Sequence, residues 1–311
     1  MKIIAISGGT KNGNNDAMAR EALMGAAEAG AEIEFIRLLD LDLKPCTGCV
    51  ACVNSLMQGG KGDCVIKDDF QWLDEKVLDA DGLIMVMPIF ECAAPGVMNV
   101  LQDRIAGPAH DVGINIIATN IAKETGKGGP DPRRMKKKAI SFISIGGSDW
   151  NCKISSDMNT FAMSASWTVI DDKVFPWSKS AVLNDETVRI CHEIGYNTAK
   201  AAADLDNAKY IGEPGVCPLC NCRNFFLNTD GKAECEVCGM KGELSKVDGK
   251  YVFTPDEGQE EFAHTLLSGK MHHMDDIYHY ETQLNEQKKT PEYKARMQKY
   301  KDFIQASKPE K

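Results

Sequence analysis

Residues 2–15 read KIIAISGGTKNGNN, and this stretch decides the fold. The run KIIAIS is short and rich in apolar, β-branched residues, as in a buried strand, and it ends in a turn rich in Gly and Asn. Residues 17–30, AMAREALMGAAEAG, then show helical periodicity and finish at a glycine. The stretch therefore predicts a strand, a polar loop and a helix in succession.

The same alternation continues as far as residue 205. Strand-like runs occur at 32–38, 81–88, 138–147 and 167–175, and helical patterns at 70–79, 95–105 and 184–205. Strands that alternate with helices predict an α/β fold, in which a doubly wound parallel sheet binds ligands at the carboxyl ends of its strands. Residues 107–138 are predicted to be a solvated charged loop, with a lid or a site for the 2′-phosphate of NADPH as the alternative.

Charge and apolar content exclude several classes of protein. The 311 residues carry a formal net charge of -9, which disfavours nucleic acid as a partner because that binding depends on Lys and Arg. No apolar run approaches the roughly 20 residues of a membrane span, and the first run is too short for a signal peptide. We expect a cytoplasmic protein without a membrane partner. Its twelve cysteines then favour metal ligands or catalytic thiols over disulfides.

Three loops fall at the predicted carboxyl edge of the sheet. The first, SGGTKNGNN at 7–15, places hydroxyls, amides and backbone N–H groups before a helix N-terminus, where a phosphate is favoured. The second is Pro88-Ile89-Phe90-Glu91, and the third begins at Gly146-Gly147 and ends at Trp150. Together they predict a binding site for a phosphorylated cofactor.

In this order, the loops resemble those of the flavodoxin-like, NAD(P)H-dependent FMN reductases. SGGTKNGNN resembles the phosphate loop of that family, and PIFECAAPGVMNVLQDR resembles its isoalloxazine loop with the following helix. The resemblance covers about residues 1–205 and implies strand order 2-1-3-4-5, bound FMN and a homodimer or homotetramer. It also implies three sets of contacts: Ser7, Thr10, Asn12, Asn14 and Asn15 with the phosphate, Pro88, Ile89, Phe90 and Glu91 with the ring, and Gly146 and Gly147 completing the pocket. It assigns no catalytic residue.

The FMN reductases often have a Pro-Arg pair where Gly9-Thr10 stands here. The phosphate would therefore lack that arginine, and Lys11 is expected to replace part of its charge.

The cysteine-rich loop CTGCVACVNSLMQGGKGDC, residues 46–64, has a compact Cys-x-x-Cys-x-x-Cys pattern and a later cysteine. Cysteines three residues apart can reach separate corners of a cubane cluster, whereas zinc more often uses two separated pairs. The loop resembles that of the iron–sulfur flavoprotein branch of the family. The resemblance implies a [4Fe-4S] cluster on Cys46, Cys49, Cys52 and Cys64. Metal-free redox thiols and zinc are the alternatives, and Cys92 is the alternative fourth ligand.

A second cysteine cluster combines Cys217-x-x-Cys220 with Cys235-x-x-Cys238, joined by a segment that contains an Asp-Gly turn. Two such knuckles around a hairpin are typical of a zinc ribbon, in which thiolates stabilise a module too small for its own core. A rubredoxin-like iron centre is the alternative. The predicted organisation is an FMN domain at 1–208, a zinc-ribbon-like module at 209–254 and a helical tail at 255–311.

The sequence thus predicts an FMN-dependent oxidoreductase. Electrons would pass from NAD(P)H or a reduced carrier to an unidentified small-molecule acceptor or redox protein such as ferredoxin, through FMN and the cluster. The alternative is a non-catalytic electron carrier that shuttles between ferredoxin-like partners.

Overall fold

The chain forms two compact units in the computed structural model, Met1–Lys270 and Met271–Lys311. The structure describes residues 1–309, except for the side chains of Ala106 and Pro108. Within this described range, no helix is long and apolar enough to cross a membrane. The predicted domain boundaries within the first unit, near residues 208 and 254, stay predictions.

A five-stranded parallel sheet forms the centre of the first unit. Its strands are β1 (Lys2–Ser7), β2 (Glu32–Arg37), β3 (Gly82–Pro88), β4 (Ala139–Ile145) and β5 (Thr168–Phe175). Their order is β2-β1-β3-β4-β5 and every pair is parallel, which confirms the predicted flavodoxin-like fold. β3 and β4 are buried along their whole length, so β3 is a continuous apolar run and β4 is apolar except for the buried Ser141 and Ser144.

Helices cover both faces of this sheet. One face packs against α1 (Asn14–Glu28) and α7 (Asp185–Ala203). The chain between these two helices supplies α2 (Ala51–Met57), α3 (Phe70–Asp79), α4 (Gly96–Arg104), α5 (Val112–Thr125) and α6 (Ile154–Met163). The core of the other face is built mainly from α3, α4 and α6, and it includes Leu73, Leu101 and Phe161.

Short turns of other helix types connect these elements. The structure has 3₁₀ turns at Leu38–Asp40, Pro132–Met135, Ala181–Leu183 and Gln259–Phe262, and a π turn at Ile105–Ala109.

Residues 107–138 contain α5, so the prediction of a solvated loop there was wrong. Asp111 caps this helix, because its Oδ1 accepts a hydrogen bond from Ile114 N at 3.1 Å. Gly126 ends the helix in the left-handed conformation, with φ of 69°. Both cap residues are visible in the sequence and were overlooked among the charged residues that follow. The guanidinium of Arg133 is paired with Glu75, Asp79 and Asp131.

The small cysteine-rich module is a four-stranded antiparallel sheet. Its strands β6 (Phe225–Leu227), β7 (Ala233–Cys235), β8 (Lys241–Val247) and β9 (Lys250–Pro255) are paired in chain order. Several hydrogen bonds connect this module and the segment before it to the parallel sheet and its helices. Ile211 N donates to Ile170 O at 2.8 Å, and Asn224 Nδ2 donates to Cys152 O at 2.8 Å.

Two helices end the described chain, α8 (Leu267–Lys289) and α9 (Pro291–Phe303). Lys270, in the first turn of α8, is buried in the first unit, where its Nζ lies 3.4 Å from Asp111 Oδ2. In α9, Thr290 Oγ1 accepts a hydrogen bond from Tyr293 N at 3.2 Å, as expected of an N-cap.

Lys138, just before β4, is a fully buried cation. Its Nζ donates to Leu78 O at 3.1 Å and to Ala80 O at 2.5 Å. Burial lowers the pKa of Lys138 to about 7, because the charged form is poorly solvated there.

We expect the free energy of unfolding to rise as the pH is raised from about 7 to about 10. The unfolded lysine has a pKa near 10.4, so in this window the unfolded chain binds more protons than the native one. The shift corresponds to a gain on the order of 4 kcal/mol. Lys138→Met should remove this slope in urea titrations at the two ends of the window. Lys136→Met, at a partly exposed lysine paired with Asp81, should keep most of it, because burial is a larger cause of the Lys138 shift than the charge of Lys136. An equal slope in both variants would contradict the assignment.

Candidate functional site

The loop between β1 and α1 has the features of an anion cradle. Ala17 N donates to Gly13 O at 3.0 Å and closes the first turn of α1. The backbone N–H groups of Asn14, Asn15 and Asp16 precede that bond, so they lie among the donors that a helix N-terminus leaves available. Asn15 Oδ1 is buried and accepts no hydrogen bond within the described residues. The loop therefore offers donors to a phosphate and an acceptor to a hydroxyl group.

Asp16 fixes the shape of this loop. Its Oδ1 accepts a hydrogen bond from Ser7 Oγ at 2.7 Å, and its Oδ2 accepts one from Asn12 N at 2.8 Å. Ser7 Oγ in turn accepts from Gly9 N at 3.2 Å. In this structure, Ser7 thus acts on the loop rather than toward its open side, and its contact with a phosphate stays a prediction. Sequence reasoning overlooked Asp16, although an acidic residue in a first helical turn is a known sign of local bonding.

Arg20 provides a positive charge beside the loop. Its Nη2 lies 3.5 Å from Asn12 Oδ1, and its guanidinium lies over the ring of Phe35, 4.5 Å from the centroid. Arg20 was not predicted because it lies inside α1 rather than in the loop. Lys11, the predicted substitute for the missing arginine, is exposed.

The loop after β3 is a strained turn. Phe90 and Ala93 exchange two backbone hydrogen bonds, of 3.1 and 2.9 Å, and the two residues between them have positive φ. These are Glu91, with φ of 47°, and Cys92, with φ of 62°. The left-handed conformation costs a residue with a side chain about 1 kcal/mol or more, and such strain concentrates at ligand sites. The turn therefore presents Phe90 and Glu91 in a fixed arrangement.

The three predicted loops meet at the carboxyl edge of the sheet. Ile89 N donates to Ile145 O at 3.0 Å, and a Cβ on Gly146 would lie 3.1 Å from Ile89 Cδ1, so the second and third loops are in contact. Asn14 Nδ2 donates to Lys179 O at 2.5 Å, which connects the first loop to the segment after β5. Sequence reasoning did not find the Lys179 segment, since nothing local marks it.

Exposed aromatic side chains follow three neighbouring strands at this edge. Phe90 comes after β3, Trp150 after β4 and Trp177 after β5, and they are 61%, 57% and 69% exposed. Large exposed aromatic side chains are a sign of a binding surface for flat or apolar ligands.

These observations fit FMN. One phosphate cradle lies at the start of α1, a buried acceptor without a partner lies in it, and a rigid turn carrying Phe90 stands beside the glycines of the third loop. The residues that would hold the cofactor are those expected from the sequence: Thr10, Asn12, Asn14, Asn15, Pro88, Ile89, Phe90, Glu91, Gly146 and Gly147, with Ser7 below the first loop.

A buried ion pair connects the two ends of the cysteine-rich loop. Arg104 Nη1 lies 2.7 Å from Asp68 Oδ2 and also donates to Lys44 O at 2.7 Å. Asp68 Oδ2 accepts from Lys44 N at 2.9 Å. Burial opposes the ionisation of Asp68, but the bonds from Arg104 and the backbone outweigh it and lower the pKa of this carboxyl. Arg104 is a further residue that sequence reasoning missed.

Three of the four thiols in this loop line one small cavity. Cys46, Cys52 and Cys64 surround a volume of about 60 Å³, together with Arg104 and Arg134. Burial raises the pKa of the Cys52 thiol. The fourth thiol, Cys49, is exposed, and a backbone N–H group lowers its pKa.

In the part of the chain that the structure describes, no three thiols of this loop gather within 4.8 Å, as the ligands of a single ion would. A cubane cluster instead takes its thiolates on separate corners, so it does not require that spacing.

The second cysteine cluster forms a compact metal-binding group. The Sγ atoms of Cys217, Cys220, Cys235 and Cys238 all lie within 4.8 Å of one another. Cys217 and Cys238 are separated by 3.7 Å, and Cys220 and Cys235 by 3.5 Å. Four thiolates gathered around one point are the donor set of a structural tetrahedral site. Cys222 lies outside the group, and its Sγ accepts a hydrogen bond from Asn224 N at 3.3 Å.

Comparison with known proteins agrees with this geometry. The family model of NADPH-dependent FMN reductase matches residues 1–181. A solved structure described as flavone reductase is 47% identical, with 100% of each chain covered and a TM-score of 0.90. A flavone synthase of Aspergillus candidus is 28% identical over 293 residues, which is 89% of this chain and 88% of that protein.

The similarity to iron–sulfur flavoproteins is partial. One from Methanocaldococcus jannaschii is 39% identical over 105 residues, which is 33% of this chain and 51% of that protein. The family model, by contrast, covers more than half of the chain and includes all three loops of the candidate site. This chain is therefore an oxidoreductase that belongs to the NADPH-dependent FMN reductase family.

Proposed function

We propose that this protein is an FMN-dependent reductase of flavone-type acceptors, with NAD(P)H as the electron donor. The observation that carries the proposal is the match to flavone reductase, at 47% identity and a TM-score of 0.90 over the whole of both chains. This match covers the cysteine-rich loop and the four-cysteine module as well as the FMN domain. The flavone synthase of Aspergillus candidus is also similar over most of its length.

The site geometry suits such an acceptor. A flavone is a flat, conjugated aromatic ketone, and Phe90, Trp150 and Trp177 offer exposed rings around the flavin loops. Stacking of this kind contributes about 1 kcal/mol per aromatic pair and holds a flat ligand without requiring many polar groups. The strained turn fixes the position of Phe90, so one wall of the site is in place before the acceptor arrives.

The chain's own residues would bind FMN and orient the acceptor. Bound FMN would supply the chemistry of hydride transfer between the nicotinamide and the acceptor. Asn14 and Asn15 would hold the phosphate end, with Asp16 fixing their loop. Glu91, Gly146 and Gly147 would lie along the ring, and the exposed aromatic side chains would exclude water from the acceptor.

The proposal includes two metal centres. Cys46, Cys49, Cys52 and Cys64 would hold a [4Fe-4S] cluster, supported by the partial similarity to iron–sulfur flavoproteins and by the three thiols that line one cavity. Such a cluster exchanges single electrons. The four-cysteine group would hold zinc as a structural ion, with iron as the alternative. We also propose a homodimer or homotetramer, as the resemblance to this family implies.

A second candidate function is that of an electron carrier between ferredoxin-like partners. It is favoured by the iron–sulfur flavoprotein similarity and by the exposure of Cys49, which lies where a protein partner can approach. A carrier needs no acceptor pocket and would not turn over NAD(P)H with a flavone.

One experiment separates these functions. Protein purified without oxygen is analysed for FMN, Fe, Zn and sulfide, and is then mixed with NAD(P)H and a flavone. We expect one FMN per chain and a product that has gained two hydrogens, detected by mass spectrometry. NAD(P)H oxidation by quinones but not by any flavone would overturn the choice of acceptor. Reduction by ferredoxin alone would support the carrier.

Trp150→Ala tests the aromatic platform formed by the exposed side chains of Phe90, Trp150 and Trp177. We expect KM for the flavone to rise about fivefold, because one stacking contact of about 1 kcal/mol is lost, while the rate of flavin reduction by NAD(P)H stays the same. Trp72→Ala is the matched control, since Trp72 is also exposed but lies on α3. Equal effects of both variants would show that the platform is not the acceptor site.

A further inference from the structure

A cavity of about 560 Å³ lies outside the residues assigned to FMN. Its walls come from the edge strand β5, from α6, from the start of α7 and from the turn that joins Cys220 to Arg223 in the small cysteine-rich (ribbon) module. The volume is within the range of about 300–1,000 Å³ that small-molecule sites occupy. None of the motifs recognised in the sequence points to it, because its walls are far apart in the chain.

The cavity adjoins the segment that closes the flavin edge. Phe175, at the end of β5, lines it, and Phe175 O accepts a hydrogen bond from Gly146 N at 2.9 Å. Asn151, which also lines it, directly follows the exposed Trp150. A ligand that extends from the aromatic platform past the third loop would therefore reach this space.

The charged groups in the wall are largely neutralised among themselves. Glu213 Oε1 lies 2.6 Å from Lys173 Nζ, and Glu213 Oε2 lies 3.2 Å from Arg223 Nη2. Tyr210 donates its hydroxyl proton to Glu213 O at 3.2 Å. Because Lys173 and Arg223 are both paired with Glu213, neither cation is free to bind an anionic ligand, and the cavity favours a neutral one.

Asp172 is a wall group with one unpaired carboxylate oxygen. Its Oδ2 accepts a hydrogen bond from Asn159 Nδ2 at 2.8 Å, whereas its buried Oδ1 accepts none from the described residues. Burial raises the pKa of this carboxyl to about 6, and the polar side chains of Ser155 and Asn159 offset only part of that effect. A buried acceptor without a donor is unfavourable, and a ligand hydroxyl would satisfy it.

The wall also has an apolar part. Phe175, Pro176, Ile190 and Val237 supply aromatic and aliphatic surface among polar side chains such as Asn151, Asn184 and Asn221. A neutral ligand with a flat apolar body and a hydroxyl donor at its edge meets both requirements, and a phenol ring is the simplest such group.

We propose that this cavity binds the hydroxylated ring of a polyphenolic acceptor, with its phenol donating a hydrogen bond to Asp172. The inference rests on the proposed function, since the same acceptor would reach the flavin edge with its conjugated ketone. Asp172 is a specificity-determining residue in this arrangement and takes no part in the transfer of electrons. Hydroxylated flavones are thereby preferred to flavone itself.

The test measures equilibrium binding of two probes to the FMN-loaded protein: a trihydroxyflavone and unsubstituted flavone. Asp172→Asn should weaken the binding of trihydroxyflavone by about tenfold or more, as expected when the phenol no longer donates to a charged group, and leave the binding of flavone unchanged. Asp171→Asn is the matched control, because the preceding residue does not line the cavity. FMN content and the melting temperature verify that each variant is folded.

A second variant keeps the proposal testable if Asp172→Asn fails to fold. Ile190→Trp fills the cavity from α7 and should lower the binding affinity for both probes while FMN stays bound. Equal affinity of wild type and Ile190→Trp for both probes, or equal loss of both probes in Asp172→Asn, would overturn the proposal. If the wild type binds trihydroxyflavone through Asp172 but does not reduce it, the cavity assignment stands and the proposed function fails. If it reduces flavones with no difference between wild type and folded Asp172→Asn, the proposed function stands and the cavity assignment fails.

Discussion

Gly195→Leu is expected to prevent the first unit from folding at ordinary temperature. A Cβ on Gly195 would lie 1.7 Å from Ala22 O, and one on Gly25 would lie 2.0 Å from His192 O. Both clashes are with backbone atoms, so no side-chain rotation relieves them. α1 and α7 would have to separate, which exposes the apolar core on their side of the sheet. We expect a loss of about 4 kcal/mol or more in the free energy of unfolding.

Urea unfolding followed by circular dichroism measures this loss. Gly96→Ala is the matched control, because Gly96 is also helical but no atom lies within 4 Å of a Cβ placed there. It should change stability by less than about 1 kcal/mol, and in the stabilising direction, since alanine has less freedom to lose on folding. A Gly195→Leu protein that unfolds at the wild-type urea concentration would mean that the two helices do not pack this closely.

The sheet was predictable because each of its strands has a recognisable local sequence pattern. β3 and β4 are buried on both faces, and each is a predominantly apolar run that can be identified without knowledge of its neighbours. α6 was not found, since its sequence ISSDMNTFAM mixes polar residues into the pattern and it has no side-chain cap. The close crossing at Gly25 and Gly195 was also beyond the sequence, because two ordinary helical glycines meet only in the folded chain.

The candidate site likewise contains residues that local motifs predict and residues that only the folded structure reveals. The loops and the two cysteine clusters follow from short motifs whose chemistry is local. The groups that hold these motifs in place come from distant positions: Arg104 fastens the cysteine-rich loop from α4, and Lys179 reaches Asn14 from beyond β5. Asp172 gains its unusual environment only when the ribbon module covers the edge of the sheet. Such partners depend on packing, which a motif does not contain.

Cys235→Ser is expected to release the metal and unfold the ribbon module. Cys235 is almost fully buried, and its Sγ lies 3.5 Å from Cys220 Sγ. Thiolates packed this closely repel one another unless a cation neutralises them. Structural zinc sites bind with about 10–16 kcal/mol, and in so small a module this free energy is folding free energy. The change should therefore affect β6 to β9 far more than the parallel sheet.

Metal analysis and hydrogen exchange measure the two effects. We expect about one zinc per chain in the wild type, almost none in Cys235→Ser, and lost amide protection across residues 217–255, while FMN and its absorption spectrum are retained. Cys222→Ser is the matched control, since Cys222 is a buried cysteine just after the first cysteine pair and lies outside the four-thiol group. Iron in place of zinc would identify a rubredoxin-like centre. If Cys222→Ser releases the metal and Cys235→Ser does not, the ligand set is wrong, because the ion would then depend on a thiol that the geometry leaves out.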